Sequence, residues 1–157
     1  MIVDGIPAAL GWHGSWEQHR GGLWLEVPDL DVRSMATFMR ENEVRLITMT
    51  VRPEPSGGYR FMYHWDSDGS LMTVVTIVTG GKIASIADIL PAADWVEREI
   101  RDYYAVEFEG REGMKSLMLL EGDEPGLFSR TAGLGHDIDP ADAARMQEGE
   151  TTKEVDR

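Results

Sequence analysis

No cysteine occurs among the 157 residues. That absence excludes disulfides, thiolate nucleophiles, thiolate-bound zinc and cysteine-ligated iron–sulfur clusters, so any electron transfer must use a partner or a bound cofactor. Positive charge is also scarce. The 15 Lys and Arg residues stand against 28 Asp and Glu, a net charge of -13 with no Lys/Arg cluster, and a polyanion such as nucleic acid would be repelled. Long apolar runs are missing as well: the longest mostly apolar stretch, Leu71 to Val78, is far short of the roughly 20 residues a spanning helix needs. Met1 to Leu10 lacks a basic start, an apolar run and a small-residue cleavage site, so no secretory leader is expected and the cytoplasm is the expected compartment.

Catalytic and metal-binding patterns are missing too. His13, His19, His64 and His136 show no i,i+4 pairing and no flanking carboxylate at a metal-ligand spacing. Ser15, Ser34 and Ser56 sit in no Gly-x-Ser-x-Gly turn, and the glycine pairs at 21–22, 57–58 and 80–81 make no phosphate-cradling loop. Trp12 and Trp16, like Met114 and Met118, are spaced as core or partner contacts rather than cofactor ligands. No catalytic, cofactor-binding or metal residue is assigned.

What is present is an α+β pattern. Leu23 to Val27 is a short β-prone run between Gly21-Gly22 and Pro28. Asp31 is placed to cap a helix through about Asn42, whose Met35, Phe38 and Met39 form an apolar stripe suited to lie on a sheet. Val44 to Val51 reads as a strand and Pro53 to Gly58 as a loop. Tyr59, Phe61, Tyr63 and Trp65 alternate with Arg60, Met62, His64 and Asp66, the period of a strand with one aromatic face. After a reversal at Asp66 to Ser70, Leu71 to Val78 is apolar on both sides, as an interior strand would be, and Gly80-Gly81 closes a three-strand antiparallel meander. A helix from Ala92 to about Tyr104 and an extended patch Val106 to Phe108 follow. These elements predict a two-layer domain over residues 23–120, helices on a mainly antiparallel sheet, between an N-terminal segment 1–22 and an acidic C-terminal segment 121–157. Loose termini are expected, above all a mobile stretch from Gly135 to Arg157.

The segment Pro91 to Gly110 carries the most information. At 100° per residue, Trp95, Val96, Ile100, Tyr103 and Tyr104 fall in one sector and Glu97, Arg98, Arg101 and Asp102 outside it. Asp94 with Arg98 and Glu97 with Arg101 are acid-before-base pairs at i,i+4, worth about 0.2–0.5 kcal/mol each, which accounts for those charges without a function. Glu99 lies between Trp95 and Tyr103 inside the apolar sector, where a carboxylate needs a cation or several donors, from this chain or across an interface, unless it snorkels at the sector's edge.

The run Trp95-Val-Glu97-Arg98-Glu99-Ile-Arg-Asp102-Tyr103-Tyr104-Ala-Val-Glu-Phe108-Glu-Gly110, entered through Pro-Ala-Ala-Asp, resembles the signature of the C subunit of complex-I-type NADH:quinone oxidoreductases, the 30-kilodalton subunit family. The resemblance implies an accessory, non-catalytic subunit of the peripheral arm, on the cytoplasmic side of a membrane and reaching it only through partners. It further implies iron–sulfur clusters, flavin and quinone on the partner subunits and none on this chain. Trp95, Glu97, Arg98, Glu99, Asp102, Tyr103, Phe108, Arg111 and Lys115 are the partner-docking candidates it implies. Two departures stand out. Arg111-Glu112 and Lys115 replace the family's usual His-Pro and later Arg, and Glu124-Pro125-Gly126-Leu127-Phe128 replaces a histidine-proline-leucine-arginine stretch. Energy-converting hydrogenases and formate hydrogenlyases contain a related subunit, which is the first alternative. A stand-alone enzyme or ligand-binding domain using Glu97, Glu99 and Asp102 as a carboxylate cluster is the second.

Overall fold

The computed structural model describes residues 2–128. The expectation of a mobile stretch from Gly135 to Arg157 lies outside them. The elements run α1 (Ile2–Ala9), β1 (Glu17–His19), β2 (Gly22–Glu26), α2 (Val32–Glu41), β3 (Arg45–Pro53), β4 (Tyr59–Ser67), β5 (Ser70–Val78), β6 (Lys82–Ala84), α3 (Ala93–Tyr104) and β7 (Glu107–Glu109). One sheet has the order β1-β2-β5-β4-β3, and β6 and β7 form a parallel pair.

The predicted meander is there: β3, β4 and β5 pair antiparallel in sequence. β2 joins the other side of β5, parallel to it, because α2 carries the chain across before β3 begins. Thus β5 is flanked on both edges, which is why Met72 to Thr76 is buried on both faces. The alternation in β4 sends Phe61, Tyr63 and Trp65 into the core, against Val74 and Met72 of β5 and Met35, Ala36 and Met39 of α2. Asp31 caps α2 as expected, accepting from the backbone N–H groups of Arg33 and Ser34 at 3.1 Å each.

His64 alternates with Tyr63 and Trp65 along β4 and so points to the opposite face of the sheet. His64 is held there between two hydroxyls, Nε2 to Thr50 Oγ1 at 2.8 Å and Nδ1 to Thr73 Oγ1 at 2.9 Å, with Trp24 edge-on at 6.3 Å. Burial pushes its pKa below the ordinary histidine value. The hydroxyl partners and the burial make His64 a packing residue.

The N-terminal segment departs from expectation. Val3, Ile6 and Pro7 are buried at i, i+3 and i+4, and the indole Nε1 of Trp16 donates to the carbonyl of Val3 at 2.8 Å. Two apolar turns, too short for a confident sequence signal, become helical because tertiary packing covers them.

The turn before β4 yields a sharp prediction. Gly58 has φ +84°, and a Cβ there would lie 2.3 Å from the carbonyl oxygen of Val78. Gly58→Ala is expected to lower the unfolding free energy by about 2–3 kcal/mol in urea titrations; a loss below about 0.5 kcal/mol would show that the turn yields without strain.

The candidate site: a signature helix and the strap it holds

Helix α3 starts after Pro91 and ends at Ala105, which is left-handed at φ 55° and closes the helix by donating from its N–H to the carbonyl of Arg101 at 2.8 Å. Its core-facing line is Ala93, Glu97, Ile100 and Tyr104, at i, i+4, i+7 and i+11. This corrects the wheel drawn from hydrophobicity alone. Glu97 and Asp102, placed outside the apolar sector, are both 0% exposed, whereas Trp95, placed inside it, is 63% exposed.

Polar partners explain how two carboxylates come to be buried. Glu97 accepts from the Ser85 hydroxyl at 2.6 Å, from the Ile86 N–H at 2.8 Å and from Arg111 Nη1 at 3.1 Å. Arg111 also pairs with Asp94. Burial lowers the pKa of Arg111, but the hydrogen bonds and charges of Glu97 and Asp94 outweigh it, and the net shift is upward. The loop that Glu97 grips is fixed from its other side by α2. Arg33 makes a bidentate pair with Asp88 at 2.8 Å per bond and donates to the carbonyl of Ser85 at 2.7 Å.

Asp102 faces the other way. Its Oδ2 accepts from the N–H groups of Leu117 at 2.7 Å and Met118 at 2.8 Å, while its own carbonyl accepts from Gly126 N–H at 2.8 Å. Burial pushes the carboxyl up. The donors of Met118, Leu117, Leu119 and Ser116 prevail, and its pKa lies below the ordinary 3.8. Its Oδ1 meets no hydrogen-bond donor among the described residues and lies 3.6 Å from Arg101 Nη1. Arg98 donates from Nε to the carbonyl of Lys115 and from Nη2 to that of Ser116, both at 3.0 Å. The chain from 111 to 126, irregular apart from turns, is therefore strapped along α3 by side chains of the signature. Just beyond it, Tyr103 stacks on Phe128 with ring centroids 4.5 Å apart.

The docking candidates thus separate. Glu97, Asp102 and Phe108 lie inside the chain's own core, so none of the three can touch a partner directly. For Glu97 and Asp102 this correction has one cause: the segments they hold follow α3 or precede it by a loop, and no helical wheel contains them; Phe108 fills the core from β7. Arg98 and Arg111 are half-buried and engaged with carbonyls and carboxylates of this chain, and Tyr103 is half-buried under Phe128. Lys115 and Trp95 are exposed. Glu99 is half-buried beside Trp95, on the side of α3 away from the core, so it is not enclosed in an apolar contact as the wheel predicted. Of the two i,i+4 pairs, Asp94 with Arg98 forms at 3.7 Å, while Glu97 turns to Arg111 instead of Arg101.

The three carboxylates of the enzyme alternative do not converge. Glu97 is directed to Ser85 and Ile86, Asp102 to Leu117 and Met118, and Glu99 outward. A cleft of about 620 Å³ beside α3 is lined by Asp94, Arg98, Arg111 and Lys115 among others, and by none of those three. Among the described residues no group of three or more His, Cys, Asp or Glu is arranged to hold a metal ion. Sequence reasoning missed Ser85 and the strap from Arg111 to Gly126 as a unit, whose only signal was an apolar run, Leu117 to Leu120, with no period of its own.

Residues 25–127 match the family described as respiratory-chain NADH dehydrogenase, 30 Kd subunit. The fused C/D subunit of the NADH-quinone oxidoreductase of Bacteroides thetaiotaomicron is 32% identical over 109 residues, 66% of this chain and 20% of that protein. The C subunit of the NADH-quinone oxidoreductase of Ruegeria pomeroyi is 26% identical over 113 residues, 66% of this chain and 56% of that protein. The chain therefore spans little more than half the length of the Ruegeria relative and a fifth of the fused one. Among solved structures, a chain of the membrane-bound sulfane sulfur reductase, an archaeal respiratory membrane complex, superposes with a TM-score of 0.66 at 26% identity, covering 78% of this chain and 77% of that one. A trypsin-resistant fragment of Nqo5 shares the fold, with a TM-score of 0.53 at 23% identity over 67% of this chain and 91% of the fragment.

Proposed function

This chain belongs to the family of the 30-kDa subunit of respiratory-chain NADH dehydrogenase, and from that premise we propose that it is a non-catalytic docking subunit of a complex-I-type assembly. The observation that carries the proposal is how the signature is used. Glu97, Arg98 and Asp102, the charged residues that define it, are committed to bonds within the chain, where they shape a surface and have no room to act on a substrate. The chain itself holds no cofactor in this reading. Electrons pass through iron–sulfur clusters, flavin and quinone on partner subunits, which agrees with the lack of cysteine.

The partner is a D-type subunit, because relatives of this chain occur with the C and D subunits fused in one protein. The assembly lies on the cytoplasmic face of a membrane and this chain reaches it through partners; no helix among the described residues is long and apolar enough to cross. A second reading is the equivalent subunit of another respiratory membrane complex whose acceptor is not quinone, as the likeness to a chain of a sulfane sulfur reductase complex allows, with the energy-converting hydrogenase or formate hydrogenlyase type that the signature also resembles as its chief form.

Gentle isolation of the tagged chain from its source is expected to bring down a D-type subunit and cluster-bearing subunits, with NADH-driven quinone reduction in the eluate. A nickel-containing large subunit in their place would establish the second reading. Recovery of the chain alone would sink both.

A further inference from the structure

Three side chains stand out as large, apolar and exposed where the signature has drawn the strap onto α3. Trp95 is 63% exposed, Met118 56% and Leu120 78%. Trp95 lies on the side of α3 that holds the strap, and Met118 and Leu120 lie in the strap itself. At 100° per residue Trp95 falls roughly 20° around the axis from Asp102 and roughly 60° from Arg98, the two residues that hold the strap. Single exposed apolar residues are ordinary. Here Met118 lies in, and Leu120 two residues beyond, a backbone segment that four polar bonds pin in place, and Trp95 lies on the helix that pins it.

The charge at the Leu120 end of the patch has one sign, while Lys115 is exposed at the other end of the strap. From Ser116 to Phe128 the chain has no Lys or Arg, while Glu121 and Asp123 are exposed next to Leu120, and Glu99 borders Trp95. We infer that the strap, presented by Arg98 and Asp102, is the surface that meets the D-type subunit, and that the partner's matching surface is an apolar patch rimmed by Lys and Arg. An apolar centre supplies affinity, and opposite charge at the rim sets encounter rate and register. The signature then acts at one remove: its buried carboxylate and half-buried guanidinium are positioning residues for the strap. This inference rests on the docking reading above and deepens it.

The test titrates the full chain against the D-type subunit of the same source at about 50 and about 300 mM NaCl. Wild type is expected to bind, losing about tenfold in affinity at the higher salt. Leu120→Glu is expected to weaken binding at least about thirtyfold. Glu121→Lys with Asp123→Lys is expected to weaken it about fivefold or more at low salt and to flatten the salt dependence. All these positions are exposed, so circular dichroism and thermal midpoint should match wild type.

If wild type binds and Leu120→Glu binds equally well, the strap is not the surface and the inference fails while the docking reading stands. If charge reversal leaves affinity unchanged or raises it, the basic rim is wrong. No binding by wild type overturns the docking reading and the inference with it. Self-association of the isolated chain that disappears with Leu120→Glu would assign the patch to a second copy and likewise overturn the inference.

Discussion

Replacing Glu97 with alanine is expected to lower the unfolding free energy by about 3–5 kcal/mol, the range for removing one partner of a buried ion pair. The carboxylate meets three donors from three places: Ser85 Oγ, Ile86 N–H and Arg111 Nη1. Alanine leaves all three without their acceptor and opens a void at a fully buried position. Glu97→Gln keeps the shape and one acceptor oxygen but sets an amide N–H group against donors, so about half that loss is expected. Urea titration with an unchanged m value gives the comparison. A loss below about 1 kcal/mol for the alanine variant would mean that the Ser85–Ile86 loop finds other acceptors and that Glu97 does not anchor it. The double substitution Glu97→Ala with Arg111→Ala should cost less than the sum of the single ones, since each removes the other's uncompensated charge.

Asp102→Ala is expected to release the strap and to cost about 2–4 kcal/mol in global stability, because the N–H groups of Leu117 and Met118 lose a charged acceptor. Hydrogen exchange separates the local effect from the global one. The amides of residues 117 and 118 should lose protection beyond the change in the central strand β5, and unaltered protection there would refute the tie. The pH dependence follows from the direction of the shift. The folded pKa lies below the ordinary 3.8, so the carboxylate contributes stability that is fully present above that value and is lost as pH falls through the folded pKa. The acid limb of the stability curve should therefore be shallower in Asp102→Asn than in wild type, and coincident limbs would argue against the assignment.

Much of the fold was legible because it follows from local periods. The alternation of Phe61, Tyr63 and Trp65, the two-sided apolar run after Leu71 and the cap at Asp31 each specify an element from neighbours within a few residues, and each lies where its pattern requires. The parallel pairing of β2 with β5 was not legible, since strand order depends on where α2 carries the chain and no local pattern encodes it. Strands of three residues such as β1 and β6 offer too few alternations to read.

The candidate site divides in the same way. The sequence by itself determined that Trp95 to Gly110 forms a helix followed by a short strand, that the chain belongs with the 30-kDa subunit family and that no thiolate chemistry is available. Only the tertiary structure decided which side of that helix is inward. A wheel ranks side chains by hydrophobicity and so turns Trp95 in and Glu97 out. The fold does the reverse because donors 11, 12 and 14 residues away in sequence converge on Glu97, and others 15 and 16 residues away converge on Asp102. Enough hydrogen bonds from distant backbone and side chains make a buried carboxylate stable. Trp95 and Leu120, 63% and 78% exposed, are left outside that core.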